Sequence, residues 1–249
     1  MLVGVTDPVF FEEGAPLISD LAAKARCWED CIFLQALTEI ESGAMCEMLP
    51  PALHPTLPPV VGFSVFAVPD SEWGAFNLAQ LRIECRSGLR PRGLLVSGVI
   101  DNEAAGRALA QSFGFRLRVG EVELERAYDE TRVRVSREGR RMLETSMRAP
   151  QRIGESDPQF VSSLHPATTP RGFRLVQVDT EFAIRRAERA PLEIEMFDAE
   201  AWGEARIRPS LPLPGVVGIA DITLRSIRFV CRPDVLAFEG TEPAVEVGG

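Results

Sequence analysis

Lys24 is the one lysine in this chain, and the other 26 of its 27 basic residues are arginines. The distinction is chemical. A desolvated lysine amine can lose its proton and attack a carbonyl to form an imine. A guanidinium stays protonated and acts instead as a donor to carboxylates and enolates. Lys24 flanks an apolar stripe with helical spacing, where a solvated lysine is expected. The scarcity of lysine is put down to genomic base composition, but the chemical consequence stands.

Other reactive side chains are few. The five cysteines, Cys27, Cys31, Cys46, Cys85 and Cys231, are odd in number and scattered, so no disulfide framework is read and a reducing cytoplasm is the default. Only His54 and His165 could add imidazoles to Cys27 and Cys31, and no zinc spacing results. His54, among prolines, and His165, before Pro166, read as loop residues. Tyr128 precedes Asp129 and Glu130 and reads as part of a turn. Glu121, Glu123 and Glu125 alternate along one strand, the pattern of a solvated face. Phosphate-cradling, dinucleotide and nucleophile-elbow glycine motifs are absent. No metal and no cofactor is expected.

The elements that must position these groups are mostly strands. Residues 15–28, with Leu17, Ile18, Leu21, Ala22, Ala25 and Trp28 on one stripe, predict a helix. A short strand, 32–37, and a brief helix, 44–49, follow, and the proline-rich 50–59 reads as an extended crossing. Strands are predicted over 60–68 and 94–100. The run 75–85 alternates, with Asn77, Ala79, Leu81, Ile83 and Cys85 on one face and Phe76, Leu78, Gln80, Arg82 and Glu84 on the other. Asp101 or Asn102 caps a helix through Phe113, with Gly114 suited to its end. Strands 115–127, 131–137 and 140–147 come next, the last two joined by a hairpin at Arg137-Glu138-Gly139. Residues 149–170 read as a long loop. Strands 173–187, 192–197 and 219–230 complete the pattern, with a loop at 209–214.

With 45% apolar and 25% charged residues, 249 residues suit a globular protein with a sizeable core. We read one domain over 1–249: a core of 30–238, an N-terminal helical segment 13–28 and a frayed tail 239–249. A net charge of −9 argues against a nucleic-acid partner. No apolar run nears the roughly 20 residues of a membrane span, and the start lacks a secretory pattern. A cytoplasmic protein without membrane or nucleic-acid partners is expected.

The segment Asp101-Asn102 through Gly114-Phe115-Arg116-Leu117-Arg118, with Gly74-Ala75-Phe76-Asn77-Leu78 upstream and Pro191–Phe197 downstream, resembles the acetoacetate decarboxylase family. That family has an aspartate–asparagine pair opening a helix, then a Gly-aromatic-Pro-Lys-Lys turn into a strand. The resemblance, over about residues 32 to 238, implies an α+β, mostly β fold: a closed or strongly curved antiparallel sheet, barrel- or cone-like, with a few flanking helices. It also implies a homo-oligomer. By the same resemblance, the imine-forming lysine matches Leu117, its cationic neighbour Arg118, the carboxylate of the preceding strand Leu78 and, more loosely, an N-terminal arginine Cys31. An ion left without its partner in an interior is costly, so nucleophile and carboxylate should vanish together.

The expected pocket is apolar, built from Leu117, Leu78, Phe76 and Phe115, with Arg116, Gln80 and Cys31 at its edge. Arg118 is the candidate catalytic anion or enolate partner. Arg82 and Glu84 share the Leu78 face and could supply an anion clamp and a base, but the strand is expected to carry them out to solvent. The function expected is that of a small-molecule enzyme without a Schiff base. Cyclisation, isomerisation or elimination (lyase-type chemistry) on a largely apolar keto-acid or polyketide-like substrate fits such a pocket. The alternatives are a non-catalytic ligand-binding protein and a β-keto acid decarboxylase.

Overall fold

The computed structural model describes residues 2–245. Its largest element is a strongly curved, mixed sheet. In spatial order the main path runs Gln151–Ile153, Thr180–Ala190, Gly215–Leu224, Arg26–Ile40, Val60–Val68, Phe76–Ser87, Arg90–Ile100, Ser163–Thr169, Gly172–Val178, Phe229–Cys231 and Thr241–Pro243. Pairing is antiparallel, except that Ser163–Thr169 and the short Leu117–Val119 strand both run parallel to Arg90–Ile100. The chain passes from Gly172–Val178 on one flank to Thr180–Ala190 on the other through Asp179, whose carbonyl accepts a bond of 2.9 Å from the Arg225 N–H. The curvature thus brings distant strands of the path together.

Both faces of the central strands are buried, as their near-continuous apolar runs require, with successive side chains going to opposite faces. On the convex face, Val61, Phe63, Val65, Ala79 and Leu81 join a core shared with Val133, Val135, Leu143 and Met147. The latter four belong to a second sheet, ordered Leu192–Phe197, Arg140–Arg148, Glu130–Arg137, Glu121–Arg126. On the concave face, Val68, Phe76 and Leu78 pack with Trp28, Phe115, Ile222 and Leu224.

The helix Glu103–Phe113 begins and ends as its sequence demands. The Asn102 side chain accepts from the Ala105 N–H at 3.1 Å, and Gly114 closes the helix at a φ of 69°, a left-handed conformation. Its buried face, Ala105, Leu109 and Phe113, covers the concave core.

Several sequence expectations are corrected. Residues 15–28 are not helical: the Ile18 N–H donates to the Thr168 carbonyl and the Thr168 N–H to the Pro16 carbonyl, so backbone pairing replaces the helix. The strand then begins at Arg26 and reaches Ile40. Residues 44–49 form two short 3₁₀ turns, Ser42–Ala44 and Cys46–Met48, instead of an α-helix. The predicted strand 115–127 breaks at Gly120, where a Cβ would lie 2.6 Å from the Ser136 carbonyl oxygen, and its halves join different sheets. The supposed loop 149–170 contains Gln151–Ile153 and the interior strand Ser163–Thr169. Pro166 is tolerated there because only Ser163 and Leu164 pair with Arg90–Ile100. Pro209–Pro212 adds a short strand beside Thr38–Ile40. Within the expected frayed tail, Ala237–Gly240 is a helical turn and Thr241–Pro243 a paired strand, while 246–249 lie outside the described residues.

Candidate functional site

The concave side of the large sheet encloses a narrow, tightly walled cavity of about 30 Å³. Its walls come from alternate residues of adjacent strands. Phe182, Ile222 and Trp28 form one cross-strand row, and Phe66 lies opposite Leu78. Trp28 meets Phe76 edge-on at 5.5 Å between ring centres, and Phe66 stacks near Phe182 at 6.1 Å. Leu109 from the helix and Phe115 from the turn after it complete the apolar lining. Roomier depressions beside Arg116 and Arg206, and beside Asn77 and Asp101, open broadly to solvent.

Four polar side chains break this wall: Gln80, Arg82, Ser163 and the half-buried Thr180. The first three are buried. Contrary to expectation, the strand Phe76–Ser87 does not carry Arg82 and Glu84 out to water. The Arg82 Nη2 lies 3.5 Å from Glu84 Oε1, and their side chains are only 6% and 12% exposed. Two glycines make the space. A Cβ at Gly62, opposite Arg82, would lie 2.6 Å from Glu84 Oε1. A Cβ at Gly93, opposite Glu84, would lie 3.1 and 3.2 Å from Arg82 Cδ and Nε. Burial pushes the Glu84 carboxyl above the usual range, and Arg82 opposes the shift. The Arg82 Nε is buried without a partner, an uncommon state for a donor that costs free energy until something accepts from it.

Ser163 stands next to this guanidinium, because its Cα pairs directly with Gly93. Its Oγ lies 2.8 Å from His165 Nε2, and His165 Nδ1 lies 2.8 Å from the Phe113 carbonyl oxygen. Phe115 packs edge-on against the imidazole at 4.3 Å. Burial lowers the His165 pKa to about 3; the Phe113 bond opposes this shift and the Arg82 charge adds to it. His165 is thus a fully buried strand residue and not a loop residue, and His54 is likewise buried on the short strand Leu53–Pro55, 2.9 Å from the Leu2 carbonyl oxygen.

The candidates named from sequence divide. Phe76, Leu78, Gln80 and Phe115 line the cavity. Leu117 packs against the surrounding apolar cluster without being part of the lining; it lies over Gly98, where a Cβ would be 2.6 Å from Leu117 Cδ2. Arg118 turns away from the cavity: its Nη1 donates to the Ala201 carbonyl at 3.1 Å, and burial beside Arg137 and Arg116 lowers its pKa. Arg116 also turns away, donating to the Glu13 carbonyl, with its pKa lowered by burial. Cys31 is buried in the concave core, and burial, with Asp221 next in effect, pushes its thiol to about 12, so it is not a nucleophile at neutral pH. Lys24 is exposed, as is Tyr128. Among the described residues, no cluster of three or more His, Cys, Asp or Glu is placed to hold a metal.

The Asp101–Asn102 pair is structural. Asp101 accepts from the Asn77 backbone and side-chain N–H groups at 2.7 and 2.8 Å, and Asn102 Nδ2 donates to the Trp73 carbonyl at 2.9 Å. The pair ties the helix start to the strand that carries Leu78, Gln80 and Arg82.

The family model for acetoacetate decarboxylase (ADC) matches residues 15–232. The chain belongs to the acetoacetate decarboxylase family. Its fold is similar to that of an acetoacetate decarboxylase of known structure, with a TM-score of 0.72, 15% identity and coverage of 82% of this chain and 88% of that one. Acetoacetate decarboxylase from Legionella pneumophila subsp. pneumophila str. Philadelphia 1 is similar at a TM-score of 0.64 and 17% identity, covering 83% and 86%. The enduracididine biosynthesis enzyme MppR complexed with pyruvate is similar at 0.65 and 14%, covering 89% and 91%. No match was found among curated proteins. Among the described residues, no helix is long and apolar enough to cross a membrane.

Sequence reasoning placed Arg82 on the correct face by alternation but expected the strand to leave the interior. It passed over Ser163 and took His165 for a loop residue, because the surrounding prolines read as loop. The readable signal was their two-residue spacing, which on a strand puts both on one face.

Proposed function

We propose that this acetoacetate decarboxylase family member is a small-molecule enzyme that works without a Schiff base. Its substrate would be a largely apolar carbonyl or carboxylate compound of keto-acid or polyketide-like character. Arg82 replaces Arg118 as the anion or enolate partner. The observation that carries this reading is the buried Arg82 guanidinium, its Nε unpartnered, in an otherwise largely aromatic and aliphatic cavity. An exposed Lys24 offers no amine to that space. A fixed positive charge in a low-dielectric site stabilises a developing enolate or carboxylate, and close walls fold a flexible chain into a reactive shape. Cyclisation, isomerisation or elimination is the chemistry such a site favours.

The test combines trapping and turnover. Purified protein is incubated with acetoacetate and with longer β-keto acids, with and without borohydride, and products and intact mass are followed by mass spectrometry. Conversion of a longer β-keto acid without a borohydride adduct is expected, falling roughly 100-fold or more in Arg82→Gln. The double variant Arg82→Gln/Glu84→Gln controls for a stranded carboxylate. An adduct formed during turnover, or turnover unchanged in both variants, refutes the proposal. A bound acid returned unchanged favours a binding protein instead.

A further inference from the structure

The direction of the hydrogen bonds behind Ser163 determines what it can offer a ligand. The Phe113 carbonyl can only accept, so His165 Nδ1 carries the proton in their 2.8 Å contact. The ring is neutral over the ordinary pH range, which leaves Nε2 as a bare acceptor. The Ser163 hydroxyl, 2.8 Å away, must therefore donate to it. Its one proton is committed inward, and only oxygen lone pairs remain for the cavity. The neighbouring Arg82 is the opposite, a group with donors alone. The side chain of Arg82 lies over Gly93, and Ser163 is the residue paired with Gly93 on the next strand. A donor-only and an acceptor-only group thus stand about 5 Å apart, one strand spacing.

We propose that Ser163 is a specificity-determining residue that selects ligands with a hydroxyl or enol O–H one or two carbons from the carboxylate or carbonyl held by Arg82. The substrate class is thereby narrowed to α- or β-hydroxy acids and the enol forms of β-keto acids with an apolar tail. His165 is a positioning residue that locks the serine rotor, and Phe115 fixes the imidazole in turn. The same neutrality argues against a proton-abstracting dyad, since an imidazolium here would be fully buried beside Arg82. This inference rests on the reading of Arg82 as the anion partner.

The probes are octanoate and 3-hydroxyoctanoate, titrated against the full chain by intrinsic fluorescence, with Trp28 in the cavity wall as reporter, and by calorimetry. The hydroxy acid is expected to bind roughly tenfold more tightly, the value of one buried neutral hydrogen bond. Ser163→Ala should erase that preference while leaving octanoate affinity within about twofold, and Ser163→Thr, which keeps the hydroxyl, should retain it. Near-UV circular dichroism checks that each variant is folded. Equal affinities in the wild type, or a preference that survives in Ser163→Ala, overturn the inference but leave Arg82 as anion partner. If neither acid binds, the cavity reading falls and this inference falls with it.

Discussion

Replacing His165 with asparagine should change how stability depends on pH. The wild-type imidazole is held neutral by complete burial, with a pKa of about 3 against 6.5 for the free side chain. The unfolded chain therefore binds a proton below about pH 6.5 that the folded chain refuses until about pH 3. The sign follows from linkage: a depressed folded pKa gives stability that is full above 6.5 and lost as pH falls towards 3. At about 1.36 kcal/mol per unit, the loss of stability from this source is absent at pH 8 and reaches about 2 kcal/mol by pH 5. Asparagine does not titrate, and its amide can donate to the Phe113 carbonyl as Nδ1–H does. Urea denaturation of both proteins at pH 8 and pH 5 isolates the effect, because other groups titrate alike in each. The wild type should lose about 2 kcal/mol more than His165→Asn between the two pH values. An equal loss in both would falsify the assignment of a neutral, sealed imidazole.

Other consequences are simpler to check. Gly98→Ala should destabilise the fold by about 1–3 kcal/mol, because the new methyl would lie 2.6 Å from Leu117 Cδ2 and 2.8 Å from the Ala79 carbonyl oxygen; a thermal or urea midpoint within error of wild type would contradict this. Thiol labelling of the native protein at pH 8 should modify exposed Cys27 well before buried Cys31, Cys85 and Cys231. Peptide mapping that finds Cys31 alkylated first would contradict the thiol shift given above. Trp202→Phe should cost about 1–3 kcal/mol, since the fully buried indole donates to the Met142 carbonyl at 3.1 Å and a smaller phenyl ring loses that bond and leaves a void. Calorimetric unfolding of that variant measures the loss directly.

The fold was legible where local pattern and tertiary environment agree. Alternation along Phe76–Glu84 divided the strand into its two faces correctly, and Asn102 and Gly114 bounded the helix. Reading failed where distant partners decide the outcome. The apolar stripe around Leu17 and Leu21 satisfies a helix as well as an irregular segment, and only the backbone bonds to Thr168 distinguish them. Ser163 and His165 lie in a proline-flanked stretch with weak strand propensity, yet the stretch is buried between two partners. The candidate site was half legible. Leu78, Phe76, Phe115 and Gln80 do line the cavity, whereas Arg118 does not. Strand order alone could not reveal that Arg118 meets the Ala201 carbonyl, nor that Gly62 and Gly93 give Arg82 and Glu84 somewhere to sit.

Those two notches couple the ions they accommodate. A methyl added at Gly62 or Gly93 would press on Glu84 or Arg82, and deleting either ion strands its mate in the interior. Conversion of this chamber to a purely hydrocarbon one therefore has no smooth single-step route, and engineers wishing to retune it should exchange the charged couple and its glycines as a set of four.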